Sequence, residues 1–234
     1  MPYNQDDFLK GDSIAVPFAD RHIAGRALSR ALESLRDNPE IIVLALPRGG
    51  VPVAKEVATA LHAPLGLLLV YKIGIPGNEK LAMGAVASSD VVIWNDRVVN
   101  RAGVNKNGID SAVRKALDEL HHREKAYRGN RPLPKLKDRI VILVDDGLAT
   151  GATMRAAIGA VRKQQAGSII VAVPVAPPEK LSRVKETADE VVCLITPEPF
   201  YDISDWYLDF SLPTDNTVGE LLFAARENAN GHGK

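Results

Sequence analysis

The sequence predicts an α/β fold in which an open parallel sheet of about five strands carries helices on both faces. Two segments, 41–46 and Ile140–Val144, are apolar throughout and too short to be helices. Uniformly apolar strands of this length are typical of a parallel sheet that is covered on both sides. Segments with helical spacing of apolar residues follow each strand, which is the βαβ rhythm of this fold class.

The remaining elements alternate in the same way along the chain. Leu28, Leu32 and Leu35 lie on one face of a helix predicted over 21–35, which precedes the first core strand. A charged stretch over 107–127 is expected to form a long helix. Further strands are expected at 65–72, 85–94, 168–173 and 190–195, with helices at 51–61, 179–187 and from Met154 onward. Segment 74–80, with two glycines and a proline, is expected to be a mobile loop.

Length and composition favour a single enzyme-sized domain over 1–234. The 29 basic and 29 acidic residues cancel, so no overall field favours nucleic acid or an anionic membrane as a partner. Cys193 is the one cysteine, which excludes an internal disulfide. The polar amino terminus and the lack of a long apolar run lead us to expect a cytoplasmic protein.

The most informative stretch follows the strand Ile140–Val144. Asp145 and Asp146 stand where this strand ends, and a loop with two glycines and two threonines then leads into a helix. Unpaired amides at a helix start suit a phosphate group. Adjacent carboxylates suit vicinal hydroxyls, which need acceptors, and can also orient the water shell of Mg²⁺. We therefore expect a sugar phosphate here, and expect the two acids to be exposed charges whose replacement costs little stability.

The stretch from Val141 to Thr153 resembles the signature of the type I phosphoribosyltransferases, which use 5-phosphoribosyl 1-pyrophosphate as donor. The resemblance covers about 41–195 and implies that Asp145 and Asp146 hold the ribose hydroxyls. It implies Mg²⁺ carried by the donor, bridged by water to these acids and without a direct protein ligand. The loop residues that would then hold the 5-phosphate are Gly147, Leu148, Ala149, Thr150, Gly151, Ala152 and Thr153.

A second motif follows the first core strand. Arg48, Gly49 and Gly50 combine a cation with two glycines just before a helix, which favours an anion. The resemblance implies that this loop binds pyrophosphate, although the pattern alone is equally typical of a tight turn. Lys72, at the end of the strand predicted over 65–72, is a further candidate for the pyrophosphate.

The family resemblance also suggests a lid and a hood. The lid corresponds to segment 74–84, and the hood, over about 196–225, would bind the acceptor. Tyr201, Trp206 and Asp209 are the candidates there, since aromatic rings stack on heterocycles, although packing of the terminus explains them equally well. Several purine-specific members carry an acid where this chain has Ala149, so any general base must come from Asp205 or Asp209, or the acceptor needs none.

The sequence thus predicts a Mg²⁺-dependent enzyme that transfers a phosphoribosyl group to a nitrogenous acceptor, with a role in nucleotide metabolism. A non-catalytic sensor of the donor or of a nucleotide is the alternative on the same fold, and a hydrolase or phosphorylase of ribosyl phosphates is a third option. The expected partners are the donor and a small acceptor, and the resemblance also allows a homodimer. Neither a P-loop lysine nor a dinucleotide-binding glycine motif is present in the sequence.

Overall fold

A computed structural model describes residues 16–129 and 133–231, except for the side chains of residue 80 and residues 225–231. Its parallel sheet has five strands in the described part of the chain. In chain order the elements are α1 (Arg21–Ala31), β1 (Ile41–Ala45), α2 (Gly50–Leu61), β2 (Leu65–Leu67), β3 (Val70–Ile75), β4 (Asn78–Ala87), β5 (Val91–Trp94), α3 (Asp96–Ala102), α4 (Lys106–Arg128), β6 (Ile140–Val144), α5 (Ala152–Lys163), β7 (Ser168–Val175), α6 (Pro178–Lys185), β8 (Glu190–Ile195) and α7 (Asp215–Gly231). Short 3₁₀ turns lie at Glu33–Leu35 and Ile203–Trp206.

The parallel sheet has the strand order β2-β1-β6-β7-β8. Strands β1 and β6 are direct parallel neighbours, with Ile41 opposite Ile140 and Ala45 opposite Val144. The backbone contact continues past the strand, because the Leu46 amide donates to the Val144 carbonyl at 2.9 Å. The loops that follow β1 and β6 therefore start side by side at the carboxyl edge of the sheet.

Helices cover both faces of this sheet, which confirms the predicted fold class. Alternate residues of one strand point to opposite sides, so Val43 belongs to a buried cluster with α1 and α2, whereas Ile42 belongs to another with α5 and α6. On α5 the buried residues are Met154, Ala157, Ile158, Ala160 and Val161, which form the apolar stripe expected of a helix packed on a sheet.

Three sequence expectations were wrong in the region between α2 and α3. The single strand expected at 65–72 is divided between β2 in the parallel sheet and β3 in a separate antiparallel sheet with the order β3-β4-β5. The expected loop at 74–80 is a hairpin, since β3 and β4 pair from Val70–Ala87 to Ile75–Asn78. The strand expected at 85–94 is interrupted after Ala87 by a turn, where Ser89 and Asp90 adopt positive φ.

Residues near both ends of the described chain pack in the core, namely Phe18, Val218 and Leu222. The helix predicted over 21–35 ends at Ala31 and is followed by a 3₁₀ turn, and α4 matches the long charged helix that was expected. Short helix α3 was not predicted. Within the predicted hood, Tyr207 forms a β-bridge with Phe18, so residues before α1 contribute to this region too. In the ranges that the structure describes, no helix combines the length and apolarity needed to cross a bilayer.

Candidate active site

The loops after β1 and β6 touch each other through glycines. A Cβ atom on Gly49 would lie 2.0 Å from Oδ2 of Asp146, and one on Gly50 would lie 2.7 Å from the Val144 carbonyl oxygen. Both distances are far below van der Waals contact, so only glycine allows the two loops to approach this closely. The Pro47–Arg48 peptide bond in the same loop is cis.

We expect Gly49→Ala to be strongly destabilising, because the added methyl group must displace the Asp146 carboxylate from its place. The free energy of unfolding in urea should fall by about 1–3 kcal/mol, the usual cost of an overpacked site. Gly219→Ala is a suitable control, since a Cβ there meets nothing within 4 Å among the described residues and Gly219 lies inside α7. That control should be neutral or slightly stabilising. Equal effects of the two substitutions would contradict the close contact between the loops.

Asp146 is paired with a buried arginine from the first helix. Nε of Arg21 donates to Asp146 Oδ2 at 2.8 Å, and Nη2 of Arg21 lies 2.7 Å from the same oxygen. Both residues are buried, with 4% and 8% of their surface exposed. The expectation that both acids are exposed strand-end charges was therefore wrong for Asp146. A buried pair of this kind is costly to break, because the remaining partner stays charged in a poorly solvated place.

The segment after β8 completes the surroundings of this pair. Nη1 of Arg21 donates to the Ser211 carbonyl at 3.0 Å, and the guanidinium lies 3.9 Å from the ring centre of Phe210. Tyr207 donates its hydroxyl to the Asp146 carbonyl at 2.7 Å. Burial, and then the nearby Asp146 charge, raise the pKa of Tyr207, so this hydroxyl keeps its proton. Segment 207–211 thus holds the Asp146 backbone through Tyr207, and it holds the Asp146 side chain indirectly, through its contacts with Arg21.

Asp145 is less enclosed than its neighbour. Its Oδ1 accepts a hydrogen bond from the Asp146 amide at 2.9 Å, and it makes no ion pair in the described part of the chain. Burial, followed by the charge of Asp146, raises the pKa of Asp145 well above the usual range of an aspartate. The two acids are therefore unequal: Asp146 is neutralised by Arg21, whereas no cation pairs with Asp145 in the ranges that the structure describes.

The loop between β6 and α5 presents free backbone donors. In the described part of the chain, the amides of Ala149, Thr150, Gly151 and Thr153 donate no hydrogen bond. Gly151 has a φ of 68°, a conformation that favours glycine, and directly precedes the helix. The Thr150 and Thr153 side chains are exposed beside these amides. Such a cluster of unpaired amides at a helix start is a suitable site for an anion.

Three residues of this loop are less available than the sequence suggested. Leu148 is 2% exposed and its amide donates to the Val175 carbonyl at 2.9 Å, so it has no donor left for a ligand. The Ala152 amide contacts Oγ1 of Thr150 at 3.3 Å. Gly147 is buried, and a Cβ there would lie 2.8 Å from Ile203. Leu148 and Gly147 thus shape the loop by packing, and the Ala152 amide is engaged within the loop.

The two candidate cations lie in different sheets. Arg48 follows β1 in the parallel sheet, and its Nη1 is 3.6 Å from Oδ1 of Asp215 at the start of α7. The same carboxylate oxygen accepts from the Tyr127 hydroxyl at 2.8 Å. Lys72 lies on β3 of the antiparallel sheet, is exposed, and has no ion pair among the described residues. A ligand phosphate that bound Arg48 would compete with Asp215.

A comparison with known protein families decides what this site belongs to. Residues 19–211 match the model of the phosphoribosyl transferase domain. The chain belongs to the phosphoribosyl transferase family. The match begins before the region that the sequence motifs covered and ends after it, so it includes both Arg21 and the segment around Tyr207.

Individual relatives agree with this membership. Two Mycobacterium tuberculosis proteins, from strains CDC 1551 and H37Rv, each named "Putative phosphoribosyl transferase", are 41% identical to the chain over 211 residues, which is 90% of this chain and 47% of each relative. The chain thus spans about half the length of these curated relatives. The crystal structure of TT1426 from Thermus thermophilus is 40% identical, with a TM-score of 0.79, over 88% of this chain and 98% of that one.

The predicted acceptor residues of this phosphoribosyl transferase domain have different surroundings. Tyr201 is 84% exposed. Trp206 is partly buried against the core, and its indole nitrogen is enclosed with no acceptor among the described residues. Asp209 is exposed and accepts from the Ser211 amide at 2.8 Å. The hydrogen bonds from Ser211 lower the pKa of Asp209, which makes it a weaker base. Asp205 is likewise engaged, since it accepts from the Asp202 amide as part of a capping box.

Arg21 is a residue of the candidate site that the sequence motifs did not reveal. It lies 125 positions before Asp146 and follows the N-cap residue Asp20, so locally it looks like any arginine at a helix start. A signal in the sequence would have needed a second, covarying position. In the described ranges, no group of three or more His, Cys, Asp or Glu side chains is arranged to hold a metal ion.

Proposed function

We propose that the chain transfers the 5-phosphoribosyl group of 5-phosphoribosyl 1-pyrophosphate to a nitrogenous acceptor, with Mg²⁺, and releases pyrophosphate. The observation that carries this proposal is the direct contact between two loops of different chemistry. One offers amides that donate no hydrogen bond and an acid, Asp145, that makes no ion pair within the described ranges, and the other offers Arg48 beside Gly49. A sugar that bears a phosphate at one end and a diphosphate at the other needs this combination.

The donor would bind with its 5-phosphate on the amides of Thr150, Gly151 and Thr153, which need no rearrangement to receive it. Its vicinal hydroxyls would donate to Asp145 and to Oδ1 of Asp146, since Oδ2 of Asp146 is held by Arg21. The ribose would then be bound at two points and the phosphate at a third, which fixes the position of the anomeric carbon. Holding the reacting carbon in place lowers the entropic cost of the reaction.

In the reaction, the lone pair of the acceptor nitrogen would form a bond to the anomeric carbon. The bond from that carbon to the pyrophosphate oxygen breaks, and its electron pair leaves with pyrophosphate. Arg48 and Lys72 would balance the negative charge that develops on the leaving group. For Arg48 this requires exchange of Asp215 for the ligand, across a starting distance of 3.6 Å.

The surroundings favour an acceptor that is nucleophilic on arrival, as an anion or a neutral amine. Ala149 cannot take a proton, and the carboxylates of Asp205 and Asp209 are engaged in local hydrogen bonds. The sequence made those two acids candidate bases, but their local bonds disfavour the role. The proton of a neutral amine would then pass to solvent after the new bond has formed.

The acids fit a Mg²⁺ ion that arrives with the donor. This ion usually keeps several of its waters, which would donate hydrogen bonds to the two carboxylates while substrate phosphates bind the ion directly. Asp145 retains an oxygen without a hydrogen bond in the described part of the chain, and so does Asp146. When bound, Mg²⁺ would neutralise part of the pyrophosphate charge. The hairpin of β3 and β4, which carries Lys72, would exclude water from the site as a lid.

Release of pyrophosphate tests the proposal. The chain is incubated with the donor, Mg²⁺ and a panel of purine bases, pyrimidine bases and amines, and pyrophosphate is measured against a reaction without acceptor. We expect release that depends on one class of acceptor. Arg48→Gln should slow it about tenfold or more, because a charged contact to the leaving group is lost.

Arg36→Gln is a matched control, since Arg36 is exposed and pairs with Glu33 away from both loops. It should react at the unaltered rate. A chain that binds the donor but gives no release with any acceptor would contradict the transfer reaction and favour a sensor. Equal rates for the two variants would remove Arg48 from the mechanism.

A further inference from the structure

A cavity of about 450 Å³ lies between the antiparallel sheet and the first turns of α5. The apolar part of its lining comes from Val70, Ala85 and Ile93 of the sheet and from Ala156 of α5. A largely apolar cavity of this volume is typical of sites for small organic ligands. It opens beside Thr153, but it is lined mainly by residues outside the two loops described above.

The polar part of the lining is cationic. Lys72, Arg97 and Arg155 line the cavity together with one carboxylate, that of Asp96. Lys72 and Arg97 make no ion pair or side-chain hydrogen bond in the described ranges, and Arg155 donates only to the Thr150 carbonyl, at 3.1 Å. Among the described residues, these cations thus outnumber the carboxylate in the lining and form no ion pair with it, and an anionic ligand would supply the missing partner.

Trp94 adds a flat ring to these cations. Its side chain lines the cavity and is 40% exposed, which is unusual for tryptophan on a structured strand. The Trp94 ring packs closely over Gly84, because a Cβ on Gly84 would lie 3.1 Å from the Cε3 atom of the ring. Strand β5 is in turn fixed to α5, where a Cβ on Gly159 would lie 3.2 Å from Ile93. Trp94 thus packs against Gly84 and leaves part of its ring exposed, and a heterocycle can stack on that part.

We propose that this cavity binds a mononucleotide, with its base on Trp94 and its phosphates between Arg97 and Arg155. The volume suits one nucleotide, and the combination of an aromatic ring with unpaired cations distinguishes this ligand from free phosphate. The site does not include Asp145, although Lys72 and Thr153 border both this cavity and the proposed donor site, and it goes beyond the proposed transfer reaction. Binding here does not require that the chain be catalytic.

Isothermal titration with ADP and with GDP tests the site. The titrations use Asp145→Asn protein, so that binding through the ribose contact at Asp145 is weakened. We expect saturable binding of one nucleotide per chain. Trp94→Leu should weaken it about tenfold through loss of stacking, and Arg97→Gln should weaken it by a similar factor. Arg162→Gln, on the same helix as Arg155 but paired with Asp189, should leave the affinity unchanged.

Fluorescence gives an independent readout. Trp94 and Trp206 are the two tryptophans of the chain, so Trp206→Phe leaves Trp94 as the single reporter. Its emission should change saturably with nucleotide, and inorganic phosphate at the same concentration should not reproduce the change. Nucleotide affinity that is insensitive to both Trp94→Leu and Arg97→Gln would overturn the proposal, as would the absence of binding. Neither outcome depends on whether pyrophosphate is released in the transfer assay.

Discussion

Replacing Arg21 with Met should lower the free energy of unfolding by about 3–5 kcal/mol, the cost of breaking a buried ion pair by removing one partner. Without Arg21, the Asp146 carboxylate keeps its charge in a buried position. Its Oδ2 faces the place where a Cβ of Gly49 would lie, so it cannot turn freely toward solvent. Urea denaturation measures the effect as a shift of the midpoint at constant m value.

Two further variants make this result specific. The first is Arg26→Met. Arg26 lies on the same helix and pairs with Glu56, but the Arg26 side chain is 64% exposed. This variant should cost less than about 1 kcal/mol, as exposed pairs do. The double variant Arg21→Met with Asp146→Asn should be less destabilised than the sum of the two single variants, because the residues act on each other. An Arg21→Met variant as stable as Arg26→Met would show that the pair contributes little.

The central sheet and its loops could be predicted because their signals are local. Strands β1 and β6 are short uninterrupted apolar segments, and each is followed within a few residues by glycines, acids or an arginine. Parallel strands bring the loops after them to one edge. The adjacency of Gly49 and Asp146 thus follows from the sheet order, although the sequence could not give the 2.0 Å approach itself.

The antiparallel sheet could not be predicted because its signals are not local. Segment 74–80 has few apolar residues, yet it forms strands through pairing of β3 with β4 and packing against α4. The turn after β4 uses Ser89 and Asp90 at positive φ, where glycine or asparagine would have been the recognisable signal. Buried Ser88 joins the start of this turn to the segment before β3, because its hydroxyl oxygen accepts from the Leu69 amide at 3.0 Å. Tertiary contacts therefore override weak strand propensity here.

The site predicted from the sequence was also incomplete, because some of its contacts join residues that are distant along the chain. Motifs along the chain identified Asp145 and Asp146 as a pair. The residue that neutralises Asp146 and not Asp145 is Arg21, which lies on α1. The aromatic residues of the segment 200–210 were visible as a cluster, although two of them serve packing: Tyr207 holds Asp146 and Phe210 covers Arg21. In the sequence, a cluster for stacking and a cluster for packing look alike.

Asp145→Asn should have opposite effects on stability and on donor binding. Burial and the neighbouring charge of Asp146 raise the pKa of Asp145 in the folded chain. A group of this kind contributes stability below its unfolded pKa, near 3.8, and that contribution is lost as the pH rises through the higher folded pKa. Asparagine has no charge to bury, so the variant should be more stable than the unaltered chain at about pH 8. At about pH 4 most of this difference should be gone.

Donor binding should change in the other direction. Oδ1 of Asp145 is occupied by the Asp146 amide, an interaction that asparagine can keep. The atom left for a ribose hydroxyl is then an NH₂ group, which cannot accept the hydroxyl hydrogen. Loss of a hydrogen bond to a charged group weakens affinity by roughly tenfold to a hundredfold, which titration with the donor and Mg²⁺ would measure.

Asp138→Asn provides the matched control for both measurements. Asp138 precedes the same strand at its opposite end, and its φ of 61° suits asparagine as well as aspartate. This variant should keep the donor affinity and the pH dependence of the unaltered chain. If Asp145→Asn bound the donor as tightly as Asp138→Asn does, Asp145 would not hold the ribose. If the stability of Asp145→Asn instead followed the unaltered chain from about pH 4 to about pH 8, burial of the Asp145 charge would cost the folded chain nothing. The joint result, higher stability with weaker donor binding, is expected only of a carboxylate whose burial destabilises the folded chain and whose charge binds a ligand.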